Sequence, residues 1–203
     1  MRIKEIKKYY DTIIGKCGDW RRKHIIWRLV DELKWRWICA NAPKKGKVLD
    51  AGGGTGRWAI PLAKRGCEFF LVGISEKALC QARKNIMKEG LENRIYLYKG
   101  DIRKLPFPSN FFDFILCEGD IIGITPMPNK ALKELSRVLK PNKKILINFN
   151  NYYSFLLLTL QMSLKEYFNF KKTRIIKMGG LKIKTLYSYT NYQYAKKSKT
   201  QLC

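Results

Sequence analysis

The sequence holds a single histidine, His24, and its six cysteines (Cys17, Cys39, Cys67, Cys80, Cys117 and Cys203) include no CxxC pair. That poverty argues against a zinc centre or a paired redox site, so no metal is expected, and scattered thiols fit a reducing compartment. Long apolar runs are lacking as well. The longest, 155–160, is interrupted by Thr159 and followed by Gln161, far short of the ~20 residues that cross a bilayer. The opening MRIKEIKKYYDT has no apolar middle region of the secretory kind, so a cytoplasmic location is expected. Acid is scarce: 16 Asp and Glu stand against 41 Lys and Arg, for a formal charge of +25. Such a surface attracts RNA, DNA or anionic lipid, although solvated lysine faces also arise without any specific partner. Residues 171–203 contribute nine of the cations and no acid.

What is present suits an α/β domain. Hydrophobic residues make up 46% of the 203 and aromatics 13%, enough to bury a core. Ile3, Ile6, Tyr9, Tyr10, Ile13 and Ile14 recur at helical spacing, as do Ile25, Ile26, Leu29, Val30, Leu33 and Trp37. After a turn at 42–46, short apolar runs at 47–50, 69–73, 95–98, 112–117 and 144–149 alternate with helical segments at about 58–64, 76–89 and 129–139. This alternation predicts a parallel sheet with helices on both faces, with ligands beyond the carboxyl ends of the strands. The expected layout is an N-terminal helical cap over 1–40, a Rossmann-like core over 41–150, a helix (150–170) and hairpin (173–187) cap over 151–190, and a basic tail over 191–203.

The stretch Val48-Leu49-Asp50-Ala51-Gly52-Gly53-Gly54-Thr55-Gly56-Arg57 carries the most chemistry. A strand runs into an acid, then glycines, then a helix whose free N–H groups face the turn. A dinucleotide site would need GxGxxG, but Arg57 stands three places after Gly54, where the third glycine belongs.

The spacing is instead DxGxGxG, which resembles motif I of class I S-adenosylmethionine-dependent methyltransferases. The resemblance extends through Gly100-Asp101-Ile102, Leu105-Pro106-Phe107-Pro108 and Phe112-Asp113-Phe114, similar to the family's GDxxxLPFPDxxFD segment. It continues in Lys130-Ala131-Leu132 and Arg137-Val138-Leu139-Lys140-Pro141, covering about residues 46–150, with a weaker likeness in Tyr9-Tyr10-Asp11. It implies a Rossmann-like sheet and S-adenosyl-L-methionine as cofactor. The cofactor site it implies comprises Asp50 toward the methionine ammonium, Gly52, Gly54, Gly56, Ser75, Asp101 toward the adenine amino group, Ile102 and Cys117.

One departure stands out. The family carries V-D-x-S after strand two, its acid gripping the ribose hydroxyls, whereas this chain has Val72-Gly73-Ile74-Ser75. Glu76 is a candidate substitute, or simply an acid suited to the first turn of a helix. Methyl transfer needs mainly alignment, so no catalytic triad is expected. Glu118 and Asp120 are candidate bases or plain loop acids, and Thr125-Pro126-Met127-Pro128 is unlike the DPPY-type tetrapeptide of amino-directed nucleic-acid methyltransferases. The aromatics Tyr9, Tyr10, Trp20, Trp27, Trp35 and Trp37 suit either a lid or core packing.

The tail is too short for a full sheet. Two strands of ~5–6 residues and a helix of ~11 need over ~20 residues, and 191–203 supplies thirteen. The expectation is a five-stranded core without the full final strand pair, and a peripheral hairpin at 173–187. Three functional readings fit: a methyltransferase acting on a small molecule, a weak or inactive methyltransferase-fold remnant binding nucleic acid or a protein partner, and an RNA methyltransferase using the basic surface.

Overall fold

The computed structural model describes residues 3–14, 25–148, 175–178 and 181–184. Two helices come first, α1 (Ile3–Ile13) and α2 (Ile25–Asn41). Then β1 (Gly46–Ala51), α3 (Ala59–Ala63), β2 (Cys67–Gly73), α4 (Glu76–Lys88), β3 (Ile95–Lys99) and β4 (Phe112–Cys117) alternate. A short α5 (Ile121–Ile124), α6 (Pro128–Val138) and β5 (Leu139–Ile147) complete this unit. The five strands form one parallel sheet in the order β3-β2-β1-β4-β5. Strand order therefore reverses beside β1, and the crevice at the carboxyl ends of β1 and β4 is the switch point.

The alternation of side chains splits the core between two faces, as a period of two requires. Val48, Phe69, Leu71, Phe114 and Leu116 pack on one face with Ile38 of α2, Leu62 of α3 and Ile86 of α4. Leu49, Phe70, Val72, Ile115 and Cys117 pack on the other with Ile122 of α5 and Ala131, Leu135 and Val138 of α6. Strands covered on both faces read as continuous apolar runs, which is what β2 and β4 are. Trp35 of α2 stacks on Trp58 at 6.2 Å, on the first face, so this ring serves packing.

Two boundaries differ from the sequence reading. β5 begins at Leu139, paired with Phe112, and resumes at Lys144, paired with Phe114. The extra residues are taken up around Pro141 and Asn142, the latter at φ +58°. α5 was not anticipated: four residues with a glycine among them carry no helical period.

Outside the sheet, β6 (Ile175–Met178) and β7 (Leu181–Lys184) form a separate antiparallel pair. The antiparallel pairing expected of a hairpin at 173–187 joins 175–178 to 181–184, and among the described residues the parallel sheet stops at five strands. The helix expected at 150–170 and the basic tail at 191–203 lie outside the described residues.

Candidate functional site

The turn after β1 is shaped around one carboxylate. Asp50 is 1% exposed, and its Oδ2 has no hydrogen-bond partner among the described residues. Burial, with a smaller contribution from the Glu118 charge, pushes its carboxyl up to about 7. Gly53 makes room for it: a Cβ there would lie 2.5 Å from Asp50 Cγ and 2.7 Å from Leu71 Cγ. Gly54 differs in kind. Its φ of +57° favours glycine, and a Cβ would meet nothing nearer than the Gly52 carbonyl at 4.0 Å, so the cradle is open there. Gly52 N–H donates to the Val72 carbonyl at 2.8 Å, which ties the turn to β2. Arg57, which broke the dinucleotide pattern, turns to Asp31 of α2 and lies over the Trp58 ring.

The turn after β2 brings Gly73 and Ser75 beside this cradle. Ser75 caps α4, its Oγ accepting from Ala78 N–H at 3.0 Å, and its hydroxyl donates to Asp11 of α1 at 2.5 Å. Glu76 points elsewhere. It is 56% exposed and ion-paired with Lys99 and with Lys7, whose Nζ lies 3.6 Å away. The Lys99 hydrogen bond, with the Lys7 and Lys99 charges, holds its carboxyl below the usual range.

After β3, Asp101 is gripped by Arg103, whose Nε lies 3.0 Å from both carboxylate oxygens and whose backbone N–H donates at 2.9 Å. Burial would raise the Asp101 carboxyl, but the Arg103 hydrogen bonds and charge outweigh it and hold it low. The following 105–107 stretch is latched to α6. Leu105 N–H donates to Glu134, while Arg137 donates to the carbonyls of Phe107 at 2.9 Å and Leu105 at 3.2 Å. Asp113 is structural, accepting from Lys47 N–H and from Lys140 at 2.8 Å at the amino end of the sheet.

The expected site residues thus separate by what they can offer. Asp50, Gly52, Gly54, Gly56, Ser75 and Asp101 lie at the carboxyl ends of β1, β2 and β3. Ile102 and Cys117 reach the same end of the sheet, but their side chains are buried in the second core face. Burial, with the Asp50, Glu118 and Asp120 charges, raises the Cys117 thiol, so it stays protonated. Beyond β4, Glu118 accepts from Lys34 of α2 at 2.9 Å, and Asp120 is buried. A cleft of about 300 Å³ lined by Leu33, Trp37, Ile38, Leu146 and Ile147 opens next to the Lys34–Glu118 pair. A second cleft of about 480 Å³, lined by Gly46, Asp113 and Lys140, lies at the opposite, amino end of the strands and away from these groups. No cluster of metal-ligating side chains occurs among the described residues, and none of their helices is long and apolar enough to cross a membrane.

Three further residues shape the site without a role read from the sequence. Gly53 lies within the glycine run and Arg103 two places after Asp101, while Asp11 belongs to the Tyr9-Tyr10-Asp11 segment but its meeting with Ser75 leaves no local signal.

Residues 48–142 match the family described as "Methyltransferase domain". The chain is 37% identical over 129 residues to the ubiquinone/menaquinone biosynthesis C-methyltransferase UbiE of Neisseria meningitidis, covering 59% of this chain and 50% of that one. The UbiE of Pectobacterium carotovorum is 30% identical over 127 residues, or 61% of this chain and 48% of its own. The chain therefore spans about half the length of these relatives. Among solved structures, the PH0226 protein of Pyrococcus horikoshii superposes with a TM-score of 0.67 at 24% identity, over 86% of this chain and 82% of that one.

Proposed function

We propose that this chain, whose residues 48–142 match the methyltransferase-domain family, is a class I methyltransferase that transfers a methyl group from S-adenosylmethionine to a small-molecule acceptor. The observation that carries this reading is the buried Asp50 carboxylate, whose Oδ2 has no hydrogen-bond partner among the described residues, beside a glycine turn. A buried ionised group needs a counter-charge, and an α-ammonium group is one. The cofactor, when bound, supplies an electrophilic methyl on a sulfonium centre. In this assignment Asp50 holds the ammonium, and Gly52, Gly54 and Gly56 let the backbone approach. Ser75 shapes the β2 turn and Asp101, kept ionised by Arg103, accepts from the adenine amino group. Ile102 and Cys117 contribute backbone atoms.

For the acceptor, the apolar cleft beside Lys34 and Glu118 has the volume of a small molecule, and Glu118 acts electrostatically on Asp50. Aligning the two reactants accounts for most of the catalysis, and a base is needed only for an acceptor that carries a proton to be lost. Calorimetry with S-adenosylmethionine and with NAD tests the cofactor assignment. Binding of the former and not the latter is expected, with Asp101→Ala weakening it at least severalfold through loss of a charged hydrogen bond. Tight binding of NAD alone would overturn it.

A further inference from the structure

We propose that Asp11, carried by α1, supplies the ribose-directed carboxylate that position 73 lacks; this rests on the reading of the domain as an S-adenosylmethionine site. The Ser75 hydroxyl donates to Asp11 Oδ1 at 2.5 Å, and Ser75 follows Gly73 by two residues. The acid from α1 thus stands at the turn from which a β2-terminal acid would project. It is held there by its own helix, since Ile6 is buried and Lys7 pairs with Glu76 across the α1–α4 contact. Ser75 is fixed in turn by the Ala78 N–H at its Oγ, so its proton is directed at Asp11. Among the described residues no hydrogen bond is recorded to Asp11 Oδ2. A carboxylate anchored through one oxygen, with no described partner on the other, suits a vicinal diol. Glu76 does not compete, because Lys99 and Lys7 hold it on the exposed side.

Nothing local requires glycine at 73. Its φ is not among the positive ones, and a Cβ would make an ordinary 3.5 Å contact with Leu79. An acid there would, however, be a second negative charge beside Asp11, and like charges this close disfavour each other's ionised form. An acid at 73 and an acid at 11 are alternative solutions to one requirement.

The test is calorimetry with S-adenosylhomocysteine and with its analogue lacking both ribose hydroxyls. Asp11→Asn is expected to weaken binding of the first ~10–100-fold, the worth of a charged hydrogen bond, and to leave the second unchanged. Gly73→Asp added to Asp11→Asn should recover most of the loss, while Gly73→Asp alone should not tighten binding. An equal loss on both ligands would make Asp11 merely a strut for α1, and no loss would make it irrelevant. Either result overturns the proposal while binding by the unaltered protein keeps the cofactor site standing. If the unaltered protein binds neither ligand, the cofactor reading fails first and this proposal with it.

Discussion

At the scale of single residues, Asp50 sets a pH dependence whose sign can be worked out. Its carboxyl is raised from 3.8 to about 7 by burial and by Glu118. Between those values the folded chain keeps a proton that the unfolded chain has released, so stability is lost as pH rises toward 7 and the penalty is complete above it. A bound ammonium reverses this by favouring the ionised form. S-adenosylhomocysteine should therefore bind more weakly at about pH 6 than at about pH 8. Asp50→Asn should bind weakly with a flattened profile, yet melt higher than the unaltered protein without ligand at about pH 8. A pH-independent affinity in the unaltered protein would remove Asp50 from the site. The glycines divide by what their missing Cβ would strike. Gly53→Ala drives a methyl into Asp50 and Leu71, and overpacking of that kind costs ~1–3 kcal/mol of stability in a thermal melt. Gly54→Ala meets open space, so it should cost only the ~1–2 kcal/mol of left-handed backbone and lose proportionately more in cofactor affinity. Asp50 and the glycines stand out in the sequence because spacing along the turn after β1 encodes them, and Asp101 because it opens the segment after β3. Asp11 does not, because its separation of 64 positions from Ser75 is closed only by the fold.

At the scale of elements, local pattern served where burial is continuous and failed where the chain departs from its period. β4 falls at 112–117 as the apolar run predicts, and α4 starts at Glu76 behind its Ser75 cap. β5 gains residues on its amino side because pairing resumes after the Pro141–Asn142 excursion, a feature that depends on the neighbouring strand. α1 joins element to site. Its seat on α4 depends on Ile6, which is 3% exposed, whereas Ile3, Tyr9 and Tyr10 of the same helix are only half-buried. Ile6→Asp should detach α1 and withdraw Asp11 from Ser75. The expected result is a loss of S-adenosylhomocysteine affinity close to that of Asp11→Asn, with the melting of the sheet little changed. A cooperative loss of the whole fold would instead make α1 part of the core, and an unchanged affinity would place it away from the cofactor.

At the scale of the whole molecule, the excess of positive charge decides how the fold responds to salt. Many acids of the described unit are already engaged: Asp31, Glu32, Glu76, Glu89, Asp101, Asp113, Glu118 and Glu134 all have lysine or arginine partners. The remaining cations have no counter-charge to meet, since Lys and Arg outnumber acids 41 to 16. Cations also line the edge of the sheet, where Lys144 of β5 and Lys143, itself 3.9 Å from Asp113, are exposed and discourage pairing with another chain. Salt then acts in two directions. It weakens exposed ion pairs, each worth only ~0–1 kcal/mol, and it screens repulsion among unpaired cations, which a net charge of +25 makes the larger effect. The melting temperature should therefore rise between low ionic strength and ~0.5 M salt, where the Debye length falls to a few ångströms. A falling melting temperature would mean that the ion pairs dominate. Small-molecule methyl transfer and RNA binding also part here, because neutral-ligand affinity should change little over that salt range. RNA affinity would instead fall steeply and linearly on logarithmic axes, as counterion release demands. The basic surface is then read as a solvated one if S-adenosylhomocysteine binding persists at salt that abolishes RNA binding, and as a substrate platform if RNA bound at low salt protects the protein while sharpening cofactor affinity.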